Sequence, residues 1–382
     1  MSDTSTFKTA FSFSTDSYQA AAELKQQLNH PDINFVLFFC SAEYDLDKLA
    51  EALTDNFKDL PIAGCTTAGE ITTQGYGKGC ITAIGFAKSA FAVEAVLIEC
   101  LDGFCLTDAQ MVVEQLIGGC RRHEIAPIKG NTFALTLLDG LSIQEENVLV
   151  TLNSALGSIP NFGGSAGDDV HLSKTHVFYN GRFRNDAAVV MLVNTHYDFE
   201  VFSTHHMHSK GEKLIVTEAD AENRSVYELN AEPAAKEYAR AIGLTVEDLN
   251  HEVFALNPIA VKIGDEYFVR SIQKVNDDLS LKFYCAVERG IVLTLMEPGE
   301  MTSDLVLKLD DIRKKIGEPQ LIIGCDCFLR RLECDLLGNR DSVSEILRQN
   351  HVVGFNAYGE QIAGMHVNQT FTGVAIGRNL DG

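Results

Sequence analysis

The chain has 382 residues, 46% hydrophobic and 22% charged, with 22 Phe. That length exceeds one ordinary core and favours two domains, and the balance is that of a folded globular protein. Its 53 acidic against 31 basic residues give a formal charge of -22, which repels phosphate backbones and anionic lipid, so neither nucleic acid nor membrane is an expected partner.

The first stretch, MSDTSTFKTAFSFSTDSYQAAAEL, has no basic start and no sustained apolar run, so it reads as an N-terminal segment (1–29) rather than a signal peptide. INFVLFFC, the most apolar segment, is too short to span a bilayer. Ten cysteines are spaced irregularly, several in apolar contexts (Cys40, Cys100, Cys285). They read as reduced thiols, and a cytoplasmic location is expected.

Three segments then share one order: strand, amphipathic helix, short strand, glycine turn with an acid, further strand. In the first (34–86), Leu46, Leu49, Leu53 and Phe57 recur at helical spacing. The second, from Thr132, has Ser142 and Glu145 as a capping box, an apolar stripe through Leu156 and Gly157 as a stop. The third, from Pro319, repeats the box with Ser342 and Glu345. The turns GCTTAGE and GFNAYGE are both G-x4-G-E, and GGSAGD is one residue tighter. Between the second and third segments, VYELNAEPAAKEYARAIG predicts a helix with Pro233 in its first turn. Residues 257–296 read as antiparallel strands with Gly-Asp and Asn-Asp-Asp turns. The fold class is α/β: mixed β-sheets flanked by helices, with parallel pairs from the strand-helix-strand repeats. The division falls into domains of 30–222 and 223–380.

The glycine turns could cradle phosphate, but no G-K-[ST] follows, strands rather than helices come next, and each carries an acid. Tight turns needing positive φ explain them more simply. Cys65, inside the first turn, has no histidine near it in sequence and reads as structural rather than as a nucleophile, so no enzyme is expected. Cys325 and Cys327 share a strand face, short of a zinc set. In HHMH (205–208), alternation aims His206 and His208 to one side as a weak metal candidate. His366, in GMHVNQTFTGVAIG, has Met365, Val367 and Phe371 near it. The residues alone leave it open between a hydrogen-bonded structural histidine and a haem ligand.

GCTTAGE followed by GGSAGDD resembles the N-terminal half of the FIST sensory family, and VYELNAEPAAKEYARAIG with GFNAYGEQ…NQT resembles its C-terminal half. Ala231 stands where a glycine is expected. GEQIAGMHVNQTFTGVAIG resembles the NosP-type, nitric-oxide-sensing branch. That resemblance implies a cytoplasmic sensor that binds haem b, takes nitric oxide at the iron and modulates a partner histidine kinase in biofilm or cyclic-di-GMP signalling. It makes His366 the expected iron ligand, with Met365, Phe371 and Tyr358 about the ring and His351 and His251 in reserve. The wider family implies the alternative, a haem-free sensor of amino-acid-like small molecules.

Overall fold

The computed structural model describes residues 6–58 and 60–377. Three copies of one unit follow one another. The first consists of β1 (Phe7–Ser12), α1 (Ser17–Gln27), β2 (Ile33–Ser41), α2 (Leu46–Asn56), β3 (Ile62–Thr67), a hairpin of β4 (Glu70–Thr72) and β5 (Gly75–Gly77), and β6 (Ile81–Ala87). The second repeats the order as β7 (Phe91–Glu99), α3 (Leu106–His123), β8 (Thr132–Leu138), α4 (Glu145–Leu156), β9 (Asn161–Ser165), β10 (Val177–Tyr179), β11 (Arg182–Arg184) and β12 (Ala187–Thr195).

The third unit opens with β13 (Phe199–Thr204) and is then interrupted. An inserted sheet occupies 207–298: β14 (Met207–Asp220), β15 (Ser225–Leu229), β16 (Glu232–Pro233), α5 (Ala234–Ile242), α6 (His251–Leu256), β17 (Ile259–Ile263), β18 (Glu266–Arg270), β19 (Ile272–Val275), β20 (Leu281–Phe283) and β21 (Val292–Pro298). The unit resumes with α7 (Met301–Ile316), β22 (Leu321–Cys327), α8 (Phe328–Leu337), α9 (Arg340–Gln349), β23 (Val352–Ala357), the hairpin β24 (Glu360–Ile362) and β25 (Met365–Val367), and β26 (Phe371–Ile376). Residues 222 and 223, where the sequence divides the chain, fall in the turn between β14 and β15, inside the insert.

Each unit builds a four-stranded sheet and gives its hairpin away. Sheet orders are β1-β6-β2-β3 continued by β10-β11, β7-β12-β8-β9 continued by β24-β25, and β13-β26-β22-β23 continued by β4-β5. Unit two completes unit one, unit one completes unit three, and unit three completes unit two. The β2/β3, β8/β9 and β22/β23 pairs are parallel, with antiparallel neighbours, as the repeated strand-helix-strand order requires.

The inner faces of all three sheets share one core, in which Phe35, Leu37 and Phe39 meet Phe133, Leu135, Ile323 and Phe355. Phe39 and Phe355 stack with centroids 4.6 Å apart. The alternate residues of β2, Val36, Phe38 and Cys40, face α1 and α2 instead. Both faces are therefore covered, which is why INFVLFFC is uninterrupted rather than alternating. Each such side chain contributes roughly 1.5–3 kcal/mol by burial.

The turn glycines serve close approach more than backbone freedom. Gly64, Gly163 and Gly354 stand opposite Phe178, Gln361 and Ile71, the central residues of the incoming hairpins. A Cβ on Gly354 would lie 1.8 Å from the Gly324 carbonyl oxygen, and one on Gly163 would lie 2.1 Å from that of Thr136. Among the repeated turn glycines, Gly69 alone has positive φ (144°), so the expectation of positive φ is corrected for the rest. The acids repeat too: Glu70 accepts from the backbone N–H of Cys80, and Glu360 from that of Thr370. Both capping boxes are also corrected. α4 begins at Glu145 and α9 at Arg340, without side-chain caps. Glu145 reaches inward instead, and Glu345 binds Arg348.

Candidate functional site

His366 is the middle residue of β25. Register makes it the counterpart of Tyr76 in β5 and Phe183 in β11, since Gln361, Ile71 and Phe178 pair with these three. Each plugs its hairpin into the neighbouring unit. Tyr76 hydroxyl bonds Asp326, Phe183 packs edge-on to Phe38 of β2, and His366 Nδ1 meets two carboxylates of α4, Glu146 at 3.3 Å and Glu145 at 3.4 Å. Arg224 of the insert donates to Glu146 Oε2 at 2.7 Å and stands 3.6 Å from Glu145. Ala286 N–H donates to Glu146 Oε1 at 2.7 Å, and Gln361 and Ser165 donate to Glu145 Oε1.

This buried cluster joins two units and the insert: α4 from unit two, the hairpin of unit three and the insert. Burial raises the Glu145 carboxyl, with His366 and Arg224 opposing. Burial acts on Glu146 as well, but hydrogen bonds and charge from His366 and Arg224 overcome it and hold the carboxyl far below the usual range.

Two carboxylates on Nδ1 hold a proton there and leave Nε2 as the ligating atom, the arrangement common behind metal-bound histidines. Nε2 is buried without a hydrogen-bond partner. The space beyond it is closed. A Cβ placed on Gly359 would lie 1.8 Å from Nε2 and 2.6 and 2.9 Å from the flanking ring carbons, which puts it on the lone-pair side. A metal about 2 Å from the imidazole nitrogen would occupy that point, one bond length from Gly359 Cα. The donor suits iron; the room for iron and a macrocycle is absent, so the residues about His366 do not fit haem.

Nor do the other expected ring contacts converge. Tyr358 is buried with its hydroxyl on Asp168, which also anchors the backbone N–H groups of Leu172, Ser173 and Lys174. Phe371 packs against Phe202 and over Gly324. His351 is exposed in a turn at φ 53°, and His251 is exposed at the start of α6. Among the described residues no group of three or more His, Cys, Asp or Glu is placed to hold a metal ion. His206 is buried against Glu333 and Arg330 while His208 is exposed, so they do not face one side. Cys65, Cys325 and Cys327 are buried in strands, and burial pushes each thiol well up.

Met365 lies elsewhere, in a groove of about 430 Å³ between the insert and unit three. Tyr267 and Phe268 of β18 form one wall, Ile362, Met365 and Val367 of the hairpin another, with His205, Lys308, Asp265 and Glu266 at its polar margin. Met365 and Val367 alternate with His366 along β25, so the strand shows one face to the groove and the other to the ion cluster. His205 Nδ1 accepts from Met207 N–H at 3.3 Å, and burial lowers its basicity. It is a neutral imidazole presenting Nε2–H as a donor.

The Asn-Gln-Thr segment rivets this region. Asn368 Oδ1 accepts from Ser271 N–H, Gln369 Nε2 donates to the Ala255 carbonyl, and Thr370 donates to Glu360. Arg270 adds a bond to the His366 carbonyl oxygen at 3.2 Å. Sequence reading missed His205, Tyr267 and Lys308, because the insert brings together positions separated by up to 167 residues.

A paired-domain sensor scaffold accounts for this layout, and comparison with known proteins identifies it. The FIST N domain matches residues 34–232 and the FIST C domain residues 234–363; the chain belongs to the FIST family. FIST domains are sensor domains of signal transduction rather than typical catalytic ones. An uncharacterized protein of Methanocaldococcus jannaschii is similar, 23% identical over 404 residues that cover 94% of this chain and 76% of that protein. No helix among the described residues is long and apolar enough to cross a membrane.

Proposed function

We propose that the chain is a signalling sensor whose small-molecule ligand occupies the groove between the insert and the hairpin of unit three. The observation that carries this is the two-faced strand β25: Met365 and Val367 line the groove while His366 between them holds Glu145, Glu146 and Arg224. A ligand that shifts β25 acts directly on the contact among unit two, unit three and the insert. Such a shift needs two conformations with different affinity for the ligand. Aromatic and aliphatic walls with a neutral N–H donor and a lysine suit a flat, mainly apolar molecule with a polar handle.

The nitric-oxide reading, with haem as cofactor and a histidine kinase as partner, rests on the NosP resemblance. In this chain it would move the ring from His366 to the groove, where Met365 supplies a thioether. His205 would have to release Met207 N–H to offer iron a lone pair.

The test is a thermal-shift screen of flat amphiphilic molecules, haemin included, on wild type, Met365→Asp and His366→Gln. A ligand that raises Tm in wild type and His366→Gln, and not in Met365→Asp, supports the groove. A ligand unaffected by Met365→Asp, or no ligand at all, overturns it. A haemin Soret band lost only in His366→Gln would return the site to His366; one that survives there and moves with nitric oxide would establish the gas-sensing reading.

A further inference from the structure

A second pocket lies where the three units meet, sharing no lining residue with the groove. It measures about 140 Å³ and is lined by Ala68, Lys78, Asp169, Phe328, Arg331 and Asp335, among others. Arg331 is only 7% exposed, yet among the described residues no carboxylate comes within 4 Å of it. Its Nη1 donates at 3.2 Å to the Ala68 carbonyl and at 3.2 Å to Asn356 Oδ1. Nε and Nη2 have no partner among the described residues. The seat is built for that guanidinium, since a Cβ on Gly69 would come within 1.5 Å of Nη1.

A guanidinium this deep with no carboxylate in contact is costly, and its free edge offers two parallel donors matched to a carboxylate. Lys78 supplies a second, exposed cation at the pocket. Two acids also line it. Asp335 is engaged by Arg340 at 3.1 Å. Asp169 accepts from Ser41 at 3.1 Å, and burial raises its carboxyl, with the Ser41 bond and the charges of Lys78 and Arg331 opposing. Two carboxylates at the wall disfavour a dianion such as phosphate, and the volume admits only a few heavy atoms.

We infer that this pocket binds a small monocarboxylate, its oxygens on the free edge of Arg331 and its charge shared with Lys78. Residues 68, 69 and 78 belong to unit one, Asp169 to unit two and Arg331 to unit three, so the anion would act as an inter-unit pin.

The probes are acetate, propionate and lactate, titrated against the full chain at constant ionic strength with chloride and inorganic phosphate as controls. Wild type should show a saturable rise in Tm with at least one carboxylate and none with chloride or phosphate. Lys78→Gln, a surface change that keeps the fold, should weaken the midpoint severalfold. Arg331→Lys, which keeps the charge and loses the paired donors, should weaken it roughly tenfold or more. No carboxylate-specific rise in wild type overturns the inference. So does the same midpoint in both variants, or a stronger response to phosphate than to every carboxylate. If Arg331→Lys fails to fold, Lys78→Gln decides alone.

Discussion

At the scale of single residues, Glu333 shows how a buried group writes pH into stability. Asp326 binds Tyr76 and Arg330, Arg330 donates to His206 Nδ1 at 2.8 Å, and His206 Nε2–H donates to Glu333 Oε1 at 2.7 Å. Burial lifts Glu333 from 4.5 to about 7, with Arg330 only partly opposing. The folded state thus holds this proton where the unfolded state has lost it. Its contribution is complete below about pH 4.5, falls as pH rises to about 7 and is level above. A displacement of that size corresponds to about 3 kcal/mol. Glu333→Gln keeps the acceptor for His206 and cannot ionise. Urea unfolding at pH 5 and pH 8 should show wild type losing more stability than the variant across that interval. Equal losses would refute the assignment.

At the scale of elements, the close parallel strand pair inside a unit makes specific glycines indispensable. Gly354→Ala drives a Cβ to 1.8 Å from a backbone oxygen across the β22–β23 pair and should cost roughly 3 kcal/mol or more, or prevent folding. Gly118, inside α3, has nothing nearer than Arg122 Nη1 at 4.0 Å, so Gly118→Ala should gain about 0.5–1 kcal/mol. Chemical denaturation of both variants checks the contrast. A tolerant Gly354 would mean that β22 is not held at that distance.

This scale also shows what could be read in advance. The repeat, the apolar runs, the parallel pairs and the helix stop at Gly157 were legible, because periodicity and turn chemistry are local. The glycine expected at Ala231 was legible for a physical reason: Asn230 and Ala231 have φ of 53° and 63°, a turn conformation that glycine adopts at less cost. The exchange of hairpins was not legible, since nothing local says which sheet edge a three-residue strand will join. His366 was recognisable as unusual, but not as the plug of a hairpin. Its equivalence to Tyr76 and Phe183 exists only in the register. Glu145 looked like a cap because a spacing of three residues cannot show which way a side chain turns.

At the scale of the whole molecule, no unit closes its own sheet. A fragment of residues 6–195 would contain units one and two but lack β24 and β25 beside β9 and the β23 edge on which β4 lies. It should fail to give a stable monomer, with circular dichroism and size exclusion reporting loss of cooperative unfolding or self-association through open strand edges. Full-length protein should unfold with coincident near- and far-ultraviolet transitions across the three units. A fragment that folds as a well-behaved monomer would contradict the interlock.

The direction of that exchange has a consequence for symmetry. Unit two gives to one, one to three and three to two, so the donations close after three steps without reversal. A head-to-tail contact that closes in three steps is the geometry of a cyclic trimer. The chain is such a ring written on one polypeptide. Its three plug positions differ, with a tyrosine at one, a phenylalanine at another and a histidine at the third, and unit three alone carries the insert.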